Sequence, residues 1–194
     1  KDVIDGQATI GYEIDIQSQD NGFKPDLILT SVGGGGLIAG LSQYFSDNNI
    51  VNKPCIYGVE PKGAASLYES LKQKQRILLD DIDNFVDGAS VSQIGELTYD
   101  ICLQNSNINI KDVYTVTNDF ISHELINCYQ DDGIILEPAG VLPICGLQEL
   151  SKNENLKDKN IVCVVSGGNN DITRYGEIME LNLQYLGLKH YFLV

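Results

Sequence analysis

The chain has 194 residues, of which 27 are acidic and 13 are basic, so its formal net charge is −14. This charge repels the phosphates of nucleic acids and anionic membrane surfaces, and we expect neither of them as a partner. A hydrophobic fraction of 43% is ordinary for a globular protein, and the chain is long enough to bury a core.

The five cysteines occur singly within apolar runs, and none has the CxxC or CxH spacing of a metal site. This pattern predicts buried thiols in a reducing compartment. No apolar run approaches membrane-spanning length, and the first residues do not have the pattern of a signal peptide. We therefore expect a cytoplasmic protein.

Apolar runs of strand length alternate with segments of helical periodicity along the chain. The most β-branched run, at 161–165, predicts a buried strand. In chain order the predicted elements are a helix at 1–20, a strand at 26–30, a helix from 37 to about 46, a strand at 55–59, helices at 64–73 and 93–104, a strand at 113–116, helices at 118–130 and 139–150, a strand at 161–165, a helix at 172–186, and the beginning of a strand at 190–194.

This alternation predicts an α/β fold in which a parallel sheet lies between two layers of helices. In such sheets, ligands bind beyond the carboxyl ends of the strands. Three polar or glycine-rich segments follow predicted strands: Gly33–Gly36, Glu60 and Ser166–Asn169. We expect all three to meet at one edge of the sheet.

Four glycines, Gly33 to Gly36, separate the first predicted strand from a helix whose apolar residues begin at Leu37. Glycines leave the backbone free of Cβ atoms at a point where the first helix amides have no partner. Such a turn suits a phosphate dianion, which the N–H groups and the positive end of the helix attract. The alternative is a tightly packed turn without a ligand, for which one or two glycines would suffice.

Two interpretations of the phosphate site remain open on these residues. A G-x-G-x-x-A motif beginning at Gly34 fits the dinucleotide fingerprint, and Glu60 follows the next strand at about the expected distance. A pyridoxal phosphate site would use both glycine turns, with the phosphate at the first and the neutral hydroxyl of Ser166 at the pyridine nitrogen. Ser166 has an alternative explanation as the N-cap of a following helix.

Six short motifs follow one another along nearly the whole chain, and their order and spacing are specific although each is weak alone. They are Gly6-Gln7-Ala8-Thr9-Ile10-Gly11, Val32-Gly33-Gly34-Gly35-Gly36-Leu37, Val59-Glu60-Pro61, Asp87-Gly88-Ala89, Glu137-Pro138-Ala139-Gly140 and Ser166-Gly167-Gly168-Asn169. In this set the chain resembles the fold-type II pyridoxal phosphate enzymes, and within them the biosynthetic threonine dehydratases. Residues 185–194 resemble the junction with the regulatory domain, which favours threonine dehydratases over cysteine synthases, threonine synthases and serine racemases.

The resemblance implies a fold like that of the tryptophan synthase β subunit and a cofactor site built mostly from backbone atoms. The implied members are Gly33, Gly34, Gly35, Gly36 and Leu37 at the phosphate, Gly88 and Ala89 along the pocket wall, and Ser166 at the pyridine nitrogen. It also implies an amino-acid substrate, and a homo-oligomer in the complete enzyme.

A cation site is implied only weakly by the resemblance. Glu60 and the carbonyl of Ala64 match positions that hold a cation in some relatives, but Ser66 replaces a carboxylate there, so Glu60 and Ala64 are only weak metal candidates. Glu137 is placed to approach a substrate or a cation, and a helix start with Pro138 in its first turn explains it equally well.

The family's Schiff-base lysine has no match among the lysines of this chain. The resemblance therefore implies that residues 1–186 are a catalytic domain lacking its N-terminal, lysine-bearing portion, and that residues 187–194 begin a regulatory domain. The complete enzyme would convert L-threonine to 2-oxobutanoate and ammonia in isoleucine biosynthesis, and we expect the isolated chain to be inactive. The alternatives are a dinucleotide-binding module, a serine dehydratase or racemase, and a non-catalytic remnant that binds neither ligand.

Overall fold

The computed structural model describes residues 1–46, 50, 53–104 and 110–192. The strands of this part of the chain are β1 at Leu27–Ser31, β2 at Cys55–Pro61, β3 at Ile110–Val116 and β4 at Ile161–Cys163. They form one parallel sheet in the spatial order β3-β2-β1-β4. Apolar and β-branched side chains dominate these strands, as expected where helices cover both faces of a sheet.

The central strand, β1, fixes the alignment of its two neighbours. Leu27 to Ser31 pair with Cys55 to Val59 of β2, and Leu29 pairs with Cys163 of β4. Because all these strands are parallel, their carboxyl ends lie at the same edge of the sheet. The segments that follow β1 and β4 therefore lie side by side, as the sequence predicts.

Helices connect the strands, and their bounds agree with the sequence predictions to within a few residues. In the described residues they are α1 at Asp2–Asp20, α2 at Gly36–Phe45, α3 at Ser66–Gln73, α4 at Glu96–Gln104, α5 at Asn118–Asp132, α6 at Pro138–Asn153 and α7 at Tyr175–Tyr185. Short 3₁₀ turns at Lys62–Ala64 and Ile172–Arg174 precede α3 and α7. Among the residues described, we find no helix with the length and apolar character needed to span a bilayer.

Side chains of the strands alternate between two hydrophobic cores, one on each face of the sheet. Leu27 and Leu29 of β1 belong to the core that contains residues of α5, α6 and α7. Ile28 belongs to the other core, with residues of α2, α3 and α4. This alternation is the two-residue period of a strand that is covered on both faces. The arrangement of helix, sheet and helix confirms the predicted three-layer α/β fold.

The cysteines are free thiols in this fold. Cys102, Cys128 and Cys145 are buried, which confirms the prediction for these three. Cys55 and Cys163 are only half-buried.

Two predicted strands differ from the structure. The run at 161–165 forms a strand only over Ile161–Cys163, and this strand is half-buried because it pairs with β1 alone. The strand expected at 190–194 does not form over the described residues 190–192, where Phe192 is 85% exposed. No neighbouring strand in the described chain offers it backbone partners. Residues 193 and 194 lie outside the described part of the chain.

Candidate functional site

The glycine turn between β1 and α2 begins the helix with a left-handed residue. Gly35 is the N-cap of α2 with φ +82°, a conformation that residues with a Cβ rarely adopt. A Cβ on Gly35 would also lie 2.6 Å from Cδ1 of Ile94, so packing by itself requires glycine there. Gly34 differs, because no atom lies within 4 Å of the place that a Cβ would take. The open side of the turn is therefore at Gly34.

Thr98 on α4 holds the orientation of this turn. Its Oγ1 donates to the carbonyl oxygens of Gly34, at 2.9 Å, and Gly95, at 2.8 Å. Because the C=O and N–H of a trans peptide point in opposite directions, the N–H of Gly35 is turned away from α4. Sequence reasoning missed Thr98, since 64 residues separate it from Gly34 and no local pattern marks it.

The backbone N–H groups from Gly33 to Leu37 form a row without a protein acceptor in the described part of the chain. Before the row, the N–H of Val32 donates to the carbonyl of Val59 at 2.9 Å. After it, the first hydrogen bond of α2 runs from the N–H of Ala39 to the carbonyl of Gly35 at 3.0 Å. The first turn of α2 carries no acidic side chain. This row fits a phosphate dianion.

Gly88 and Ala89 lie directly beside the glycine turn. A Cβ on Gly33 would lie 3.1 Å from Cα of Ala89 and 3.4 Å from the carbonyl oxygen of Gly88. The N–H of Ala89 donates to the carbonyl of Val86 at 2.9 Å and closes a tight turn around Gly88. The structure thus brings the predicted pocket wall against the predicted phosphate turn.

Ser166 follows β4 at the same edge of the sheet. Helix α6 packs against its backbone so closely that a Cβ on Gly140 would collide with the Ser166 carbonyl oxygen. The next helical turn begins only at Ile172, and Asp171 caps it by accepting from the N–H of Thr173 at 2.9 Å. The interpretation of Ser166 as a helix cap is therefore wrong, and its half-buried side chain serves no such role.

The Glu137 carboxylate lies between the pocket wall and the loop that carries Ser166. A Cβ on Gly88 would lie 3.4 Å from Oε1 of Glu137, and one on Gly167 would collide with the same oxygen. Glu137 is the N-cap of α6 and Pro138 is in the first turn, but the Glu137 side chain makes no capping hydrogen bond. The helix start therefore explains Pro138, while the Glu137 carboxylate lies beside Gly88 and Gly167.

Glu60 lies at the end of β2 and is turned toward α3 rather than toward the glycine turn. Its carboxylate is fully buried and accepts from the N–H groups of Leu67, at 2.9 Å, and Tyr68, at 2.7 Å. Burial outweighs these two hydrogen bonds and raises the pKa of Glu60 to about 7. The acidic residue that a dinucleotide site would require is thus sealed inside the protein.

The two other residues of the weakly implied cation site are also buried. Ala64 ends the 3₁₀ turn before α3, and the hydroxyl of Ser66 has no hydrogen-bond partner among the described residues. Across those residues, no cluster of three or more His, Cys, Asp or Glu side chains has a geometry suited to a metal ion.

Fold and site together define a class of protein, a parallel α/β domain with a row of free amides suited to an anion at the carboxyl edge of its sheet. Residues 1–167 match the family of pyridoxal-phosphate dependent enzymes, and the chain belongs to that family. The family membership and the buried position of Glu60 together favour the pyridoxal phosphate interpretation of the glycine turn over the dinucleotide one.

Among characterised proteins, the chain is similar to the biosynthetic L-threonine dehydratase IlvA of Mycobacterium tuberculosis. The two are 41% identical over 191 residues, which cover 98% of this chain and 42% of that relative. The chain therefore spans less than half the length of the dehydratase that it matches.

Solved structures show the same relationship. The processed form of threonine deaminase isoform 2 from Solanum lycopersicum matches with a TM-score of 0.79 and 37% identity, over 92% of this chain and 49% of that chain. Serine racemase of maize matches with a TM-score of 0.76 and 26% identity, over 91% of this chain and 53% of that chain. These matches confirm the fold that the sequence motifs imply.

Proposed function

We propose that this chain is part of a pyridoxal phosphate-dependent threonine dehydratase, which converts L-threonine to 2-oxobutanoate and ammonia in isoleucine biosynthesis. The observation that carries the proposal is the row of unpartnered N–H groups from Gly33 to Leu37. This row occurs in a chain that is 41% identical to a threonine dehydratase along 98% of its length.

The chain would supply the side of the site that anchors and tunes the cofactor. The amides of Gly33–Gly36 and Leu37 would hold the phosphate, and Gly88 and Ala89 would close the pocket wall. Ser166 would donate to or accept from the pyridine nitrogen. A serine hydroxyl is neutral and does not require that nitrogen to be protonated, which favours elimination at Cβ over transamination. When bound, the cofactor supplies the electron sink for loss of the Cα proton and the β-hydroxyl.

The general base of the reaction is proposed to lie outside this chain. The resemblance places a lysine in an N-terminal portion of the catalytic domain, which residues 1–186 would complete, and residues 187–194 would begin a regulatory domain. Without that lysine the chain alone neither binds the cofactor covalently nor removes the substrate's Cα proton.

We further propose that the complete enzyme acts in the cytoplasm as a homo-oligomer. Three buried free thiols, Cys102, Cys128 and Cys145, support a reducing compartment. The net charge of −14 disfavours nucleic acids and anionic membranes as partners.

A second candidate is a serine dehydratase or racemase. The maize serine racemase shares the fold at a TM-score of 0.76, which supports this alternative. Its 26% identity is well below the 41% shared with the threonine dehydratase, so the threonine enzyme is preferred.

Substrate turnover by the complete enzyme tests this function. With pyridoxal phosphate present, we expect 2-oxobutanoate from L-threonine with a kcat/KM about tenfold above that for pyruvate from L-serine, since one methyl group gives discrimination of roughly this size. The isolated chain is the control and should be inactive. Greater turnover of serine, formation of D-serine, or threonine turnover without the cofactor would contradict the proposal.

A further inference from the structure

Arg174 joins two loops of the candidate site that lie far apart in the sequence. Its Nη2 donates to the carbonyl oxygen of Phe85 at 2.7 Å, across a sequence separation of 89 residues. The same guanidinium lies over the Phe85 ring, 5.0 Å from its centroid. Nη1 lies 3.7 Å from Oδ1 of Asp87. Arg174 ends the 3₁₀ turn that directly follows the Ser166 loop, so it ties that loop to the pocket wall.

The segment that Arg174 holds carries the pocket wall. Phe85, Val86 and Ala89 are buried in the core, but Asp87 and Gly88 between them are exposed. The remaining backbone hydrogen bonds near Gly88 are local, as in the pair from the N–H groups of Ala89 and residue 90 to Val86. Core packing holds both ends of this turn. Among the hydrogen bonds of residues 85–90 within the described chain, the one from Arg174 reaches a distant part of the sequence.

We propose that Arg174 is a positioning residue that fixes the Asp87–Ala89 segment against the glycine turn and thereby tightens cofactor binding. This inference rests on the proposed function. Ala89 and Gly88 lie within 3.4 Å of the place that a Cβ on Gly33 would take, so a small outward shift of the segment opens the phosphate side of the cleft. The side chain of Arg174 contacts Phe85, Asp87 and Glu177, so its effect on the cofactor passes through the loop.

The hydrogen bond and the stacking on Phe85 carry this effect, rather than the ion pair. The side chain of Asp87 is 75% exposed, and a pair at 3.7 Å in such a place is weak because water screens it. A planar guanidinium can donate to the carbonyl and cover the ring at once, and a lysine ammonium cannot reproduce that geometry.

Three variants of the complete enzyme test the proposal: Arg174→Ala, Arg174→Lys and the matched control Glu177→Gln. Glu177 contacts Arg174 at 3.4 Å but lies on α7 itself, so its loss leaves the bond to Phe85 intact. Amide hydrogen exchange of the cofactor-free protein measures directly how firmly the Asp87–Ala89 segment is held. Titration with pyridoxal phosphate, followed by the cofactor's absorbance, measures the dissociation constant of the cofactor. The kcat and KM are measured at saturating cofactor.

In both Arg174 variants we expect faster exchange at the amides of Ala89 and residue 90. We also expect the cofactor dissociation constant to rise about tenfold, which corresponds to the loss of one charged hydrogen bond. The kcat at saturating cofactor should stay within about threefold of the wild type, because the bound cofactor itself orders the loop. The control should match the wild type in every readout.

Unchanged exchange over residues 85–90 in the Arg174 variants would overturn the proposal, whatever the cofactor does. So would unchanged cofactor affinity alongside faster exchange, or an equal loss of affinity in Glu177→Gln. Should Arg174→Ala not fold, Arg174→Lys decides by the same criteria. A wild-type enzyme that binds no pyridoxal phosphate contradicts the proposed function instead. In that case the exchange data still test whether Arg174 fixes the Asp87–Ala89 segment.

Discussion

At the scale of single residues, Glu60 shows how a position that a motif marks as ligand-binding can serve the fold instead. Its carboxylate binds the first N–H groups of α3, where the N-cap residue Ala65 has no side chain able to do so. The side chain thereby performs the function of a helix cap from a neighbouring strand. Full burial is the reason that the pKa of Glu60 rises to about 7.

This raised pKa predicts a pH dependence of stability. The unfolded chain titrates Glu60 near 4.5 and the folded chain near 7, so the folded state holds the proton more tightly. The stabilisation that protonated Glu60 contributes is complete below pH 4.5 and is lost as pH rises through about 7. This loss lowers the free energy of unfolding by roughly 3 kcal/mol in all. The free energy of unfolding from denaturant titrations at each pH measures it.

The variant Glu60→Gln isolates this effect, because glutamine does not titrate. Relative to the wild type, its unfolding free energy should rise by roughly 3 kcal/mol between pH 4.5 and pH 8. Glu96→Gln is the control, since the Glu96 side chain is 83% exposed and should leave the pH profile unchanged. A wild type and a Glu60→Gln variant with parallel pH profiles would contradict the assigned pKa.

Single residues also show what the sequence can predict of the site and what it cannot. The phosphate turn at Gly33–Gly36 was predictable from local sequence, because four glycines in a row leave the backbone free of Cβ atoms. Gly88 and Ala89 were implied only by the resemblance to a known family. Thr98 and Arg174 were not predictable, because each donates to a backbone carbonyl that is 64 or 89 residues away in the sequence. Neither has a local pattern that distinguishes it from a surface residue.

At the scale of elements, α2 is held in place by a close contact with α1. A Cβ on Gly40 would lie 2.7 Å from the backbone N of Ala8, and one on Gly11 would lie 2.9 Å from the Tyr44 side chain. The hydroxyl of Tyr44 donates to Asp15 at 3.0 Å along the same seam. The two helices therefore approach through glycines, and this contact sets the direction in which the first amides of α2 point.

Adding one methyl group at this seam should separate the helices. Gly40→Ala places a Cβ against backbone that cannot move aside, and we expect it to lower the free energy of unfolding by about 2 kcal/mol. Gly6→Ala is the matched control on the open face of α1, where no atom lies within 4 Å, and it should raise stability by about 0.5 kcal/mol. Equal effects of the two substitutions in denaturant titrations would contradict the close packing.

Elements differ in how much of them the sequence determines. Helices with clear periodicity were placed correctly, because the spacing of their apolar residues marks the buried face. The strand β1 was also placed correctly, because its continuous apolar run indicates burial on both faces. The length of β4 and the absence of a strand at residues 190–192 depend on which strands lie alongside. Strand pairing depends on the neighbouring strands of the sheet. A β-branched run such as 161–165 therefore does not predict how many of its residues will pair.

At the scale of the whole molecule, the sheet brings two distant turns together. The glycine turn after β1 and the Ser166 loop after β4 share one edge because the two strands are neighbours and parallel. The alternation of strands and helices predicts this convergence, since parallel sheets place all their carboxyl ends on one side. The strand order was not predictable in the same way, because nothing local specifies that β4 pairs with β1.

The central claim is that the amides of the glycine turn hold the phosphate of pyridoxal phosphate, and Gly34 tests it most directly. A Cβ fits there without contact, and the φ of Gly34 lies outside the left-handed range, so Gly34→Ala and Gly34→Asp should both fold. In the complete enzyme we expect Gly34→Asp to raise the dissociation constant of pyridoxal phosphate about 100-fold, because a carboxylate then faces the dianion. The dissociation constant of Gly34→Ala for pyridoxal phosphate should stay within about threefold of the wild-type value. Affinity for phosphate-free pyridoxal should change in neither variant. Equal affinity of Gly34→Asp and Gly34→Ala for pyridoxal phosphate would contradict the account.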